Sequence, residues 1–169
     1  MTGSPASAAN GHHQTPEGTP PEAPGEAPWT SHLGAVREAL AQKNLGAAVR
    51  AWEQAHLAAV GSWRWEGLIE VGDVYLRIGD ASGARKASEA TARKAYFAAL
   101  FRACQRDSCE GILRIAQAFA DLGDRQVVEE CVGLAELVAP DDEARVEVRA
   151  VAAQLTDRLA AAAEMSPWF

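Results

Sequence analysis

The chain has 169 residues, 48% of them hydrophobic, with a formal net charge of −7 and no run approaching the ~20 apolar residues of a membrane span. That length has room for one core of ordinary size, and the acidic balance counts against holding nucleic acid by phosphate neutralisation. Three cysteines (Cys104, Cys109, Cys131) form no CxxC pair and fit a reduced compartment, and with no secretory signal pattern at the amino terminus the expected location is cytoplasmic.

Residues 1–28 carry six of the eight prolines with Gly, Ser, Thr, Ala and Glu, too little apolar surface to offset ordering entropy, so a disordered tail is expected. His12-His13 makes a weak, unselective metal site at most, and PPEAPGEAP lacks the basic anchor of a ligand for a proline-recognising domain. Folding should begin at Trp29, with Thr30 or Ser31 as helix cap, and the first helix should reach about Gln42. The second runs from about Leu45 to Ala59 behind an Asn44 cap, with Trp52 and Ala55 at the interhelical contact.

Gly61-Ser62 breaks the chain, and of Trp63 and Trp65 one should pack between units while the other lies at the rim. A helix over Trp65 to Ile78 turns Leu68, Val71, Gly72 and Tyr75 inward. Gly67 and Gly72 each cost it up to about 1 kcal/mol relative to alanine, which close packing must repay. Gly79-Asp80 then reads as a turn. Residues 82–106 form one long helix with a small-residue stripe (Ala84, Ala87, Thr91, Ala95, Ala98) and a bulky stripe (Phe97, Leu100, Phe101, Cys104). Arg85, Lys86, Arg93, Lys94, Arg102 and Arg106 decorate it, with Arg85-Glu89-Arg93 at ion-pair spacing.

In the third hairpin Ile112, Ile115, Ala116 and Phe119 line one face, Gly123 ends the helix, and Asp124 is placed to cap the next. Val127, Val128, Cys131, Val132, Leu134, Ala135 and Val138 continue the apolar face up to Pro140. Asp141-Asp142-Glu143 opens a last helix with the charge its dipole favours, striped by Ala144, Val148, Val151, Leu155 and Leu159. The aromatic pair Trp168-Phe169 either folds back on that helix or anchors in another protein.

These hairpins are copies. Leu68, Val71, Gly72, Tyr75, Gly79, Asp80 and Ala84 match Ile112, Ile115, Ala116, Phe119, Gly123, Asp124 and Val128, and a weaker copy has Val36, Ala39, Lys43, Asn44, Ala48, Trp52 and Ala55. The turn spacing is uneven, 36 residues from Lys43 to Gly79 and 44 from Gly79 to Gly123. Over about residues 30–140 this pattern of apolar residue, small residue, aromatic, Gly-Asp turn, alanines and Pro resembles the tetratricopeptide repeat (TPR) family. The resemblance implies an all-α fold of about three antiparallel hairpins (units 29–61, 62–107 and 108–140) stacked as a short right-handed solenoid. A capping helix over 141–163 completes the expected domain of residues 29–163, and a tail follows over 164–169.

No HExxH, ExxH, GxSxG, P-loop or GxGxxG occurs, His32 and His56 lack a partner in the sequence, and no catalytic residue, metal site or cofactor is expected. In the TPR family the first helix of each hairpin lines a concave groove that receives a peptide or helix. By that resemblance the groove residues are Arg37 and Leu40, then Ile69, Glu70, Asp73, Leu76 and Arg77, then Leu113, Arg114 and Gln117, with Leu33 beside them. Glu70 and Asp73 stand where family members that clamp a terminal carboxylate carry basic or amide residues, so an amphipathic segment bearing Arg or Lys fits better. The expected function is a non-enzymatic interaction module (adaptor, assembly factor or accessory subunit) for another protein or peptide, without nucleic acid or membrane, and with Trp168-Phe169 as a further contact. The alternatives are a small helical enzyme or cofactor carrier with an unrecognised site, and a nucleic-acid-binding regulator using the basic helix 82–106.

Overall fold

The structure, a computed structural model, describes residues 26–165, apart from the side chain of Met165. The expected tail of residues 1–28 lies almost wholly outside them, as do His12-His13 and Trp168-Phe169. The described residues are all-helical: α1 (Thr30–Ala41), α2 (Leu45–Gly61), α3 (Trp65–Ser82), α4 (Arg85–Gln105), α5 (Cys109–Asp121), α6 (Arg125–Val138) and α7 (Asp142–Met165). Each helix packs on the next in sequence, and the odd-numbered helices also touch in a row, α1 on α3, α3 on α5 and α5 on α7. No described helix is long and apolar enough to cross a membrane.

Lys43, Gly83 and Gly123 sit in the left-handed region (φ 57°, 70° and 77°), successive members 40 residues apart, and each reverses the chain between the two helices of a hairpin. This corrects the turn expected at Gly79-Asp80. Gly79 lies inside α3, buried, and a Cβ there would collide with the Ser88 side chain. Its glycine serves close approach of α3 and α4, and the chain reverses one helical turn later, at Gly83. The uneven spacing of the sequence pattern therefore disappears.

Glycine does the same work at two earlier positions of α3. A Cβ on Gly67 would come within 2.8 Å of the Trp29 ring, and one on Gly72 would collide with the Tyr96 ring. Trp29 and Tyr96 are each 1% exposed, so two of the largest side chains in the core occupy the notches that the glycines leave, and their burial offsets the helical cost. Trp65 is buried as Gly111's neighbour, while Trp63 is 63% exposed with the Arg102 guanidinium 5.3 Å from its ring centroid.

The buried stripe of α4 is Ser88, Ala92, Ala95, Tyr96, Ala99 and Ala103. Of the expected small-residue stripe only Ala95 is buried; Ala84 precedes the helix, and Ala87 and Ala98 are exposed. Alanines occur on every side of this helix, so composition alone does not mark its inner face, whereas the notches opposite Gly72 and Gly79 fix the rotation. Phe119 is fully buried, with ring partners Tyr96 (5.7 Å, edge-on) and Phe97 (4.8 Å) on α4.

Helix ends also depart from expectation in two places. Trp29, not Thr30 or Ser31, is the residue before α1, and it makes no side-chain cap. Asp124 precedes α6 but does not cap it, because both its oxygens accept from Arg93 of α4 (Nε to Oδ2 2.7 Å, Nη2 to Oδ1 3.1 Å). Asn44, Ser108 and Asp141 do accept from the first turns of α2, α5 and α7.

Candidate functional site

The odd-helix row carries two clefts. The first, about 90 Å3, lies between α1 and α3 and is lined by Leu33, Arg37, Glu70, Asp73, Val74 and Arg77. The second, about 310 Å3, lies between α5 and α7; Leu113, Ala144, Val151 and Pro140 give it apolar walls, and Glu110, Arg114, Gln117 and Glu147 a polar rim. Burial raises the Asp73 pKa, and Arg114 of the second cleft is among the groups that partly oppose that rise.

Most of the residues named from sequence are brought together here. Arg37, Glu70, Asp73 and Arg77 share the first cleft, and Leu113, Arg114 and Gln117 the second. Ile69 and Leu76 instead belong to the core (3% and 6% exposed), and Leu40 is partly buried against it; none of the three lines either cleft. The α7 side of the second cleft was not anticipated. Ala144, Glu147 and Val151 recur at i, i+3 and i+7, a stripe beside the buried Val148 and Leu155, and that spacing is the signal a sequence reading could have used.

The two carboxylates of the first cleft are held from beneath. Tyr96 donates its hydroxyl to Asp73 Oδ1 at 2.6 Å, and Trp29 donates Nε1–H to Glu70 Oε2 at 3.1 Å. Burial raises the Asp73 pKa; the Tyr96 hydrogen bond, Arg114 and Arg77 partly counter it. Burial, with that bond second, also pushes the Tyr96 phenol up, so it remains the donor. Arg37, Arg77 and Arg114 are exposed and make no ion pair among the described residues.

Four of the six cations of the basic helix have partners within the chain, while Lys94 and Arg106 make no ion pair among the described residues. Arg85 pairs with Asp80 (2.7 Å), Lys86 with Glu89 (3.5 Å), and Arg93 with Glu89 and Asp124. Arg102 donates to the carbonyls of Ala59 and Val60 (3.1 and 2.9 Å) at the carboxyl end of α2, where Ser62 also donates to Ala59. The outer face of this helix leaves Phe97 and Phe101 48% and 64% exposed, and Trp63 in the loop between α2 and α3 is exposed as well.

Compared with family models, curated proteins and solved structures, the chain matches nothing in any of the three. The chemistry of the remaining titratable groups is quiet. Among the described residues no group of three or more His, Cys, Asp or Glu is placed to hold a metal. Burial pushes the Cys131 thiol up to about 12 and raises Cys104 and Cys109, which keeps all three protonated near neutrality. His56 stacks on Trp52 (5.2 Å), and burial together with Arg102 lowers its pKa.

Proposed function

We propose that this chain is a non-enzymatic protein-interaction module, a TPR-like stack of three hairpins in a short right-handed solenoid closed by α7, which receives a peptide or helix of another protein along α1, α3, α5 and α7. The observation that carries this reading is the coincidence on one helix row of two clefts and of three arginines (Arg37, Arg77, Arg114) without an ion pair among the described residues. Elsewhere on the domain Arg85, Arg93, Arg102, Arg145, Arg149 and Arg158 are each engaged by a partner within the chain, while Arg50, Arg106 and Arg125 also make no ion pair among the described residues but lie away from the two clefts. An apolar anchor of the bound segment would fill the cleft of Leu113, Ala144 and Val151, and the polar rim would orient the rest.

The test compares two charge reversals in the full chain used as bait in its native host. Arg77→Glu with Arg114→Glu changes the groove at exposed side chains and should abolish capture of the proteins retained by wild type, while melting temperature stays within a few degrees. Arg85→Glu with Lys86→Glu, on α4, should leave capture intact. The opposite pattern would move the binding surface to α4 and refute the groove.

A further inference from the structure

We propose that Asp73 is the specificity-determining residue of this groove and receives the cationic head of one Arg or Lys on the bound segment; the inference deepens the groove reading and rests on it. The left-handed residues within the three hairpins, Lys43, Gly83 and Gly123, set a common register, in which Leu33, Asp73 and Leu113 occupy the same position, ten residues before each turn. Leu33 and Leu113 are buried there, at 0% and 8% exposure. In α3 that apolar slot holds a half-buried carboxylate instead. Burial of an acid costs folding free energy unless its oxygens are complemented, and the chain complements one of them. Tyr96 supplies the single described donor to Asp73, on Oδ1, while the carboxylate lines the cleft between α1 and α3.

The donor is itself fixed. Tyr96 is seated in the Gly72 notch and edge-on to Phe119, so the direction of the Asp73 carboxylate is set by the core. Glu70, one helical turn earlier, is held in the same manner by Trp29, whose ring sits on Gly67. Two carboxylates aimed by buried aromatic donors thus face a cleft of about 90 Å3, whereas Arg37 and Arg77 at its rim are exposed long side chains. A preorganised charge discriminates between ligands because little ordering entropy is spent on it, while rim side chains must be ordered on binding and adapt to what arrives. The fixed charge is negative, so the group it selects is a cation. The arginines on either side suit acidic residues flanking that cation on the same segment.

The test uses the full chain and fluorescein-labelled nonapeptide pools whose central residue is Arg, Lys, Leu, Gln or Glu, with the other positions mixed, read by fluorescence anisotropy. Arg- and Lys-centred pools should bind about tenfold more tightly than the others. Asp73→Asn keeps an acceptor for Tyr96 but removes the charge, and should erase the preference. Tyr96→Phe keeps the charge and frees its direction, and should shrink the preference by about twofold to tenfold. Circular dichroism melts verify that both variants fold. A preference for the Glu-centred pool, or an Arg and Lys preference that survives in Asp73→Asn, overturns the inference and leaves the groove as a binding surface. Failure of every pool to bind overturns the groove reading and the inference together.

Discussion

Gly79→Ala separates two accounts of the second hairpin. By sequence pattern Gly79 is the turn glycine, and the penalty of alanine there would come from the backbone. In the structure it lies within α3, where an added Cβ would collide with the buried Ser88 side chain and stand 3.2 Å from Arg85 Cα. Alanine in place of a helical glycine on open surface gains up to about 1 kcal/mol, whereas overpacking a filled contact costs about 1–3 kcal/mol. Ser88→Gly removes the colliding atoms, so in that background Gly79→Ala should recover its helical gain. A double-mutant cycle by urea denaturation, followed by circular dichroism, should give a coupling of about 1–3 kcal/mol. Gly83→Ala is the companion measurement: with φ at 70° and nothing within 4 Å of where its methyl group would stand, its cost is backbone alone, about 1–2 kcal/mol. Coupling below about 0.5 kcal/mol together with a neutral Gly83→Ala would refute the assignment of the turn.

Phe119→Ala empties a fully buried site against Tyr96 and Phe97 and should cost about 3–5 kcal/mol in the same assay; a near-neutral result would contradict the packing of α5 on α4. Arg93→Met keeps the aliphatic stem but releases Asp124 and Glu89, with an expected loss of about 1–2 kcal/mol that shrinks in high salt; a salt-independent loss would mean packing, not charge, was removed. Asp73 has a raised pKa in the folded state, chiefly through burial, so the folded chain binds its proton more tightly than the unfolded chain does. The associated penalty is absent below the unfolded-state value and grows as pH rises through the folded one. Relative to wild type, Asp73→Asn should therefore gain stability between acidic and neutral pH, measured as a widening difference in Tm; a constant difference would show that the carboxylate is not desolvated.

Local signals determined the helices. Periodicity located the inward residues of α3 and α5, Asn44 announced its own cap, and Gly67 and Gly72 marked places where close packing had to repay a helical cost. Arg37, Glu70, Asp73, Arg77 and Arg114 were named through the resemblance to the repeat family, and the structure places the first four on one cleft and Arg114 on the other. What fills a glycine notch is a long-range matter: Trp29 reaches Gly67 and Tyr96 reaches Gly72 from other helices, so no local pattern names them. The same distance in sequence hid the true turn, since Gly79 and Gly83 differ only in what stands opposite them. Asp124 looked like a cap until Arg93, 31 residues away, took its carboxylate. Whether a side chain is contact surface or backing depends on neighbours as well: Ile69 and Leu76 are closed off by packing, while Val151 of α7 is left open on the cleft because α7 lies against α5. Hydrogen bonds and hydrophobic period act within a few residues and are written along the chain; the partners that close a notch or claim a charge are chosen only when the helices meet.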